Sequence, residues 1–550
     1  MSNYDIIIIG GGISGLFLTY TLSQTDLNIL LLEQSSRLGG RINTRSDKGL
    51  TFESGAARFH SSHTKLISLI QQLGLDDTIF QLPDETNSIL RNIDYRINND
   101  KPYQTNRDLH LSHLFKESLD KKDTFTKDQL VSMSYFQYVT SIFDHETALF
   151  MKDSFGYDAE FIYLNADAAL QMFESDFFED NRYFVLHNGL SSIIQKMESR
   201  LSAKRNVTLL KSSPVEFIDS RRVSSKGRHF YYDQLICAIP PSSLQRFPIF
   251  KEVSGLLDSV KELPLLRVYA KYPLKRLWFK GIQRTMTDNP VRHVIPIDEK
   301  NGFIMICYCD SDLADMWNTS LSQGEDFVVQ QIHKQLETIF SIDKIPDPEY
   351  VSFEYWPHGL HVWKQDYDMT ELYDKIMKPL TDKNIYICGE AFSKKQGWIE
   401  GCLQTCYDLL GKLDLQDYSI EMKSAELVTD ESDNEEVVQD DKVGLTVDEI
   451  VKAKKYVIME VGSEKKVFDV SEWMSRHPGG SSNIQRVIDA TKNYYVNNVE
   501  PSPTQLFKQQ ATHKQGKEKT DSDSSAEILF TSLFVNHSNK HIKFVGNLKE

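Results

Sequence analysis

The sequence predicts an α/β unit of nucleotide-binding type interleaved with an α+β unit, followed by a small third unit that is also α+β. Three observations predict it. The chain opens on strand, glycine turn, helix and strand, and mid-chain runs alternate with the two-residue period of an antiparallel sheet. A late apolar strand then ends on a second turn, Gly389-Glu390, before a last helix.

In the opening, Tyr4–Ile9 reads as a strand, Gly10–Gly15 as the turn, Leu16–Gln24 as the helix and Leu27–Glu33 as the second strand. Gly10-x-Gly12-x-x-Gly15 has a physical use for each glycine. The first permits the tight turn, the second leaves room for a pyrophosphate, and the third lets helix and strand approach. The free N–H groups at the helix start, around Ile13 and Ser14, suit phosphate oxygens. Glu33 ends the second strand eighteen residues after Gly15, where a carboxylate accepts hydrogen bonds from ribose hydroxyls. This unit alone does not choose between nicotinamide and flavin dinucleotides.

The remaining elements follow from periodicity and composition. Arg267–Tyr272 and Gly302–Cys309 read as strands of the antiparallel sheet, Asn384–Cys388 as the late strand, and Glu400–Leu413 as the last helix. The nucleotide unit takes 1–80, 191–250 and 381–415; the second unit takes 81–190 and 251–380. Residues 416–442 read as an acidic linker: 421–449 hold eleven acids against two lysines, more than half of the net charge of −16. Residues 443–550 form the last unit, with a polar insertion at 500–526. That charge argues against a nucleic-acid partner. Six cysteines without a paired CxxC pattern read as free thiols in a reducing compartment. With no run near the roughly 20 apolar residues of a membrane span and no secretory signal, a soluble intracellular protein is expected.

Beyond the first turn stand Arg37-Leu38-Gly39-Gly40-Arg41 and Gly55-Ala56-Ala57-Arg58-Phe59, then Pro214–Ile218 and Asp233–Pro241. Near the end come Gly389-Glu390 and Gly397-Trp398-Ile399-Glu400-Gly401. In these segments, from about residue 4 to 413, the sequence resembles the flavin-dependent amine oxidase family, which includes monoamine and polyamine oxidases. The resemblance implies a Rossmann-like FAD-binding domain. Gly40, Arg41, Ala57 and Arg58 would contact the flavin end, and the Val215 backbone the adenine. Gly389 and Glu390 would meet the ribityl chain, and the Ile399 N–H would lie near the ribityl chain or the pyrimidine edge of the flavin. It further implies oxidation of a primary or secondary amine, polyamine-like, by hydride transfer to flavin N5, with O2 or a one-electron carrier as acceptor. A flavin desaturase or protoporphyrinogen-type oxidase, and a non-catalytic FAD-binding structural protein of virion type, are the alternatives.

The same resemblance assigns the catalytic positions. Trp398 is one wall of an aromatic cage; Val362 stands where monoamine oxidases carry the second, so Trp363 is the candidate to supply it. His361 falls near the position of covalent flavin attachment, but without a cysteine, and non-covalent FAD is expected. Leu263–Tyr272 aligns with the strand whose lysine holds a water against flavin N5 and puts Arg267 in that slot, with Lys271 as the fallback register. Arginine is much harder to deprotonate than lysine, so slow reaction with oxygen is expected, and Arg267→Lys is expected to raise it.

In the tail, Leu445–Ile450, Tyr456–Val461, Val467–Val470 and His477-Pro478-Gly479-Gly480 resemble the opening of cytochrome b5, and Phe544–Leu548 its closing strand. The resemblance implies haem b held by His477 and His537, with a haem-less fold of the same type as the alternative.

Overall fold

The computed structural model describes residues 2–83, 86–94, 102–176, 182–415, 456–461, 464–469 and 543–547. The chain divides into two units, 1–432 and 433–550.

Ser2–Ile9 lies inside a seven-stranded sheet, and its run Ile6–Ile9 is buried throughout. A parallel strand covered on both faces reads as a continuous apolar run, and this one does. It pairs in parallel with Ile29–Leu32 on one side and Arg228–Cys237 on the other. Val207–Leu210 extends the sheet beyond Ile29–Leu32, and Ile385–Ile387 adds to Arg228–Cys237, both in parallel. Arg222–Ser225 and Phe217–Ile218 complete it antiparallel. One sheet therefore draws strands from three distant stretches of chain. Helix Ile13–Leu22 is buried along its length and packs on the last helix, Ile399–Lys412.

Only Phe217–Ile218 of the expected strand Pro214–Ile218 joins the ladder. Pro214 has no N–H to give, and the Ser213 N–H is spent on the Glu33 carbonyl at 2.7 Å.

A second seven-stranded sheet orders Tyr350–Trp363, Val260–Lys271, Phe303–Asp310, His293–Asp298, Thr285–Thr287, Asn87–Leu90 and Ile93–Asp94. Its neighbours are antiparallel except Thr285–Thr287 with Asn87–Leu90. Arg267 sits opposite Tyr308 in it. A helical layer accompanies the sheet, with boundaries written in the sequence. Thr126 and Ser134 form capping boxes with Gln129 and Gln137, and Asp144 caps the next helix through the Thr147 N–H. Strand Tyr350–Trp363 spans fourteen residues, roughly 45 Å of extended chain. Its length lets it start in this sheet and end beside Glu390 of the first.

In the second unit, Tyr456–Val461 and Glu464–Asp469 form a hairpin that Lys543–Asn547 joins antiparallel. The expected haem ligands His477 and His537, and the polar insertion 500–526, lie outside the described residues.

Candidate active site

The glycine turn builds a cradle. A Cβ on Gly15 would sit 2.0 Å from the Gly10 carbonyl oxygen, so helix and strand touch backbone to backbone there. A Cβ on Gly12 would meet nothing within 4 Å; that space is open. Gly39 folds back over the turn, its N–H donating to the Gly11 carbonyl at 2.8 Å, and leaves Gly40 exposed beside Gly12. Glu33 accepts from the Gly11 and Ser35 N–H groups, each at 2.7 Å, which fixes its carboxylate at the end of the second strand. Ile13 and Ser14 open the helix, with Ser14 Oγ 3.8 Å from the Cβ position of Gly389. These residues fit a dinucleotide: an open slot lined by backbone, a helix start for phosphate and a carboxylate for ribose. Val215, half-buried, follows Ser213, whose N–H meets the Glu33 backbone carbonyl.

Glu390 closes the far side. Its carboxylate takes Arg41 Nη2 at 2.8 Å, His361 Nδ1 at 2.7 Å, the His361 N–H at 3.1 Å and the Gly397 N–H at 2.7 Å. Arg41 also donates to the Gly359 carbonyl at 3.1 Å. His361 Nε2 faces Glu262 at 3.7 Å, and Glu262 contacts the half-exposed His358. Burial would raise both acids, but Arg41 and His361 hold Glu390 far below the usual carboxylate range. The His361 imidazole and the Ser242 N–H bring Glu262 down to about 2. Burial would lower His361, and the carboxylates of Glu390 and Glu262 raise it above its ordinary value of 6.5 instead.

The signs define a pH window. The acids have depressed folded values, so their contribution is present above an unfolded value near 4.5 and lost as pH falls through the folded one. His361 has a raised folded value, so its contribution is complete below 6.5 and lost as pH rises through that value. Thermal stability is expected to fall from neutral to alkaline pH, and His361→Gln to flatten that slope. An unchanged slope in His361→Gln, read by thermal melts at stepped pH, would remove the imidazolium from this account.

Facing this clamp is a chain of rings and guanidinium groups. Trp398 packs 4.8 Å from His63, edge to face, and 6.4 Å from Tyr183, stacked. Arg58 lies over the Tyr183 ring at 4.7 Å and donates to the Tyr157 hydroxyl at 3.1 Å. Tyr157 meets His293 at 4.6 Å and Tyr308 at 5.6 Å, and Arg267 covers Tyr308 at 4.6 Å. The path thus runs unbroken from Trp398 to Arg267. Arg58, Tyr157, Tyr183, Tyr308 and Trp398 are each half-buried and keep accessible surface, so this run of rings and guanidinium groups is the candidate substrate cleft. Beside Arg58, Glu160 is pushed up to about 8 by burial and by Asp310, and is uncharged at neutral pH. Ionising it opposes folding, so Glu160→Gln is expected to raise the melting temperature at pH 8.5 by a few degrees more than at pH 5; equal shifts at both would count against the buried acid.

Several sequence expectations find definite places. Arg267 donates to the Glu53 carbonyl at 3.1 Å and also to that of Gly55, so it fastens the loop that carries Ala57 and Arg58. Lys271, the fallback, pairs at 3.6 Å with Glu349 at the outer end of the strand. Trp363 is buried, gives its indole N–H to the Ser393 carbonyl at 3.0 Å and packs on Phe392. No ring contact joins it to Trp398 among the described residues. Ile399 starts the last helix, where Glu400 caps another by accepting from the Lys65 and Leu66 N–H groups at 3.1 and 3.0 Å. The cleft residues Tyr157, Tyr183, Tyr308, Arg284 and His293 carried no motif. The described residues contain no cluster able to hold a metal ion and no helix long and apolar enough to cross a membrane.

Comparison with known proteins agrees with this geometry. The chain is similar over 74% of its length to 93% of an uncharacterised protein of Acanthamoeba polyphaga mimivirus, at 23% identity. It is similar over 73% of its length to 84% of an L-amino-acid oxidase of Demansia vestigiata, at 22% identity. Among solved structures, a putrescine oxidase bound to putrescine superposes with a TM-score of 0.59, covering 75% of this chain and 99% of that one at 17% identity, a likeness of fold. Residues 13–407 match the model of the flavin-containing amine oxidoreductases. With most of the chain so matched, and a dinucleotide cradle meeting an aromatic cleft, the protein belongs to the flavin-containing amine oxidoreductase family and is an FAD-dependent oxidoreductase.

Proposed function

We propose that the chain holds FAD non-covalently and oxidises a small amine that also carries a carboxylate. The observation that carries this reading is Arg58: set deep in the cleft, it has a tyrosine hydroxyl and a tyrosine face as partners and no carboxylate within ion-pair distance among the described residues. An enclosed charge left uncompensated is costly, and an anionic substrate group supplies what the fold withholds. A polyamine would place like charge against it, so the polyamine-like expectation gives way to an amine of the amino-acid type.

The residues then take these parts. Gly10 to Gly15, Glu33, Gly40, Arg41, Gly389 and Glu390 hold the dinucleotide, and bound FAD supplies the hydride acceptor for the C–H beside the amine nitrogen. Arg58, expected from the resemblance at the flavin end of FAD, is instead read as orienting the substrate through its carboxylate, with Tyr157 fixing the guanidinium. Trp398 and Tyr183 present ring faces to the amine end and keep water out. Arg267 acts through the loop it fastens, as a positioning residue. Non-covalent attachment is supported by His361, whose two ring nitrogens both face carboxylates. We assign dioxygen as acceptor; haem b on His477 and His537 is the alternative, and sharp absorbance bands in the reduced protein would establish it.

An anaerobic panel tests the reading by loss of flavin absorbance. Amino acids are expected to bleach the flavin, whereas putrescine and spermidine leave it oxidised. Bleaching by the diamines alone would refute the carboxylate requirement. No bleaching by any amine would return the chain to a desaturase or a non-catalytic FAD protein.

A further inference from the structure

A second guanidinium shares this cleft. Arg284 stands just before strand Thr285–Thr287, its carbonyl locked by the Asn87 N–H at 2.7 Å. Two residues on, Met286 pairs with His293, whose ring lies on Tyr157 and 5.5 Å from Tyr308. Arg284 is half-buried, but its Nε is sealed from solvent and makes no hydrogen bond. No ion pair reaches it among the described residues.

Two other enclosed arginines have acid partners, and Arg267 spends its donors on the Glu53 and Gly55 carbonyls. Arg292 meets Asp158 at 2.6 Å, and Arg41 meets Glu390 at 2.8 Å. Arg58 and Arg284 have the tyrosines Tyr157, Tyr183 and Tyr308 as electrostatic neighbours in common, and the acid beside Arg58, Glu160, is pushed up to about 8. Burial lowers the affinity of Arg284 for its proton, and the charge of Arg58 lowers it further. His293, buried beside them and Arg292, is held well below its ordinary value by burial and by the charges of Arg284, Arg58 and Arg292. Two like charges facing one cleft describe a receptor for two negative charges.

We propose that Arg284 forms a second anion subsite opposite Arg58, so that the preferred substrate is an amine bearing two carboxylates. This rests on the reading of Arg58 above and adds to it. A neutral amino acid satisfies Arg58 and leaves Arg284 uncompensated; an amino dicarboxylate satisfies both. Charge-assisted, bidentate contacts of this kind are the strong ones.

The test uses FAD-loaded protein and acids that cannot be oxidised, read by the shift they cause in the flavin spectrum. Propionate, succinate and glutarate are titrated into the wild type, Arg284→Gln, Arg284→Lys and Arg58→Gln, each checked for full FAD content. The better dicarboxylate is expected to bind the wild type at least about 30-fold more tightly than propionate, near 2 kcal/mol. Arg284→Gln is expected to bring the ratio within about 3-fold while propionate binding holds, and Arg284→Lys to restore part of it. Equal affinity for mono- and dicarboxylates in the wild type, or an undiminished ratio in Arg284→Gln, overturns the second subsite and leaves the Arg58 reading intact. Loss of all carboxylate binding in the wild type overturns both.

Discussion

Replacing Gly12 by valine is expected to abolish FAD binding while the protein stays folded. The two halves of this outcome have separate causes. Apart from its own chain neighbours, no protein atom lies within 4 Å of a Cβ at Gly12, so a side chain branches there into open space. It occupies instead the slot left for the pyrophosphate, beside Gly40. Affinity is expected to drop at least about 100-fold, near 3 kcal/mol. The variant should purify colourless, with a circular dichroism spectrum matching that of the wild-type apoprotein. A yellow Gly12→Val protein would refute the placement. Gly15→Ala serves as the contrast: its Cβ meets backbone at 2.0 Å, so it should lose the fold along with the cofactor.

Arg58→Gln is expected to raise KM for a carboxylate-bearing amine by about 100- to 1,000-fold, the 3–4 kcal/mol typical of losing one member of a desolvated charge pair. FAD content should not change, and the melting temperature should hold or rise, because an uncompensated enclosed charge is removed. A residue that served only the fold would do the reverse, lowering stability and sparing KM. Steady-state kinetics beside thermal melts separate the two, and an unchanged KM would end the substrate assignment.

The parts of this site that could be read from the sequence are those where backbone needs dictate residue type. Gly10, Gly12 and Gly15 announce a turn that admits no side chain, and Gly389-Glu390 with Trp398-Ile399 marks the other edge. Glu33 was legible because its distance from the turn is set by one helix and one strand. The cleft was not legible, for a physical reason. Tyr157 comes from the turn just after a helix, Tyr183 and Tyr308 from strands of different sheets, and Arg284 from a loop before a third strand. Tyrosine and arginine are common, and only the tertiary fold puts these side chains together. His361 and Trp363 show the same limit from the other direction. Both sit where a cofactor or substrate contact was expected, and packing gives one a carboxylate partner in Glu390 and the other a place in the core. Arg267 also changed meaning, since it lies on the expected strand but its donors go to backbone carbonyls.

The first sheet takes its final parallel strand from Ile385–Ile387, and Glu390 follows at once. During synthesis, Arg41 leaves the ribosome long before the acid it will hold. At about 5–20 residues per second, that interval is roughly 20–70 s. Throughout it the glycine cradle is built on one side only. Cofactor capture therefore belongs to the end of translation, and a chain stopped short of residue 390 should emerge as an apoprotein whatever the supply of FAD.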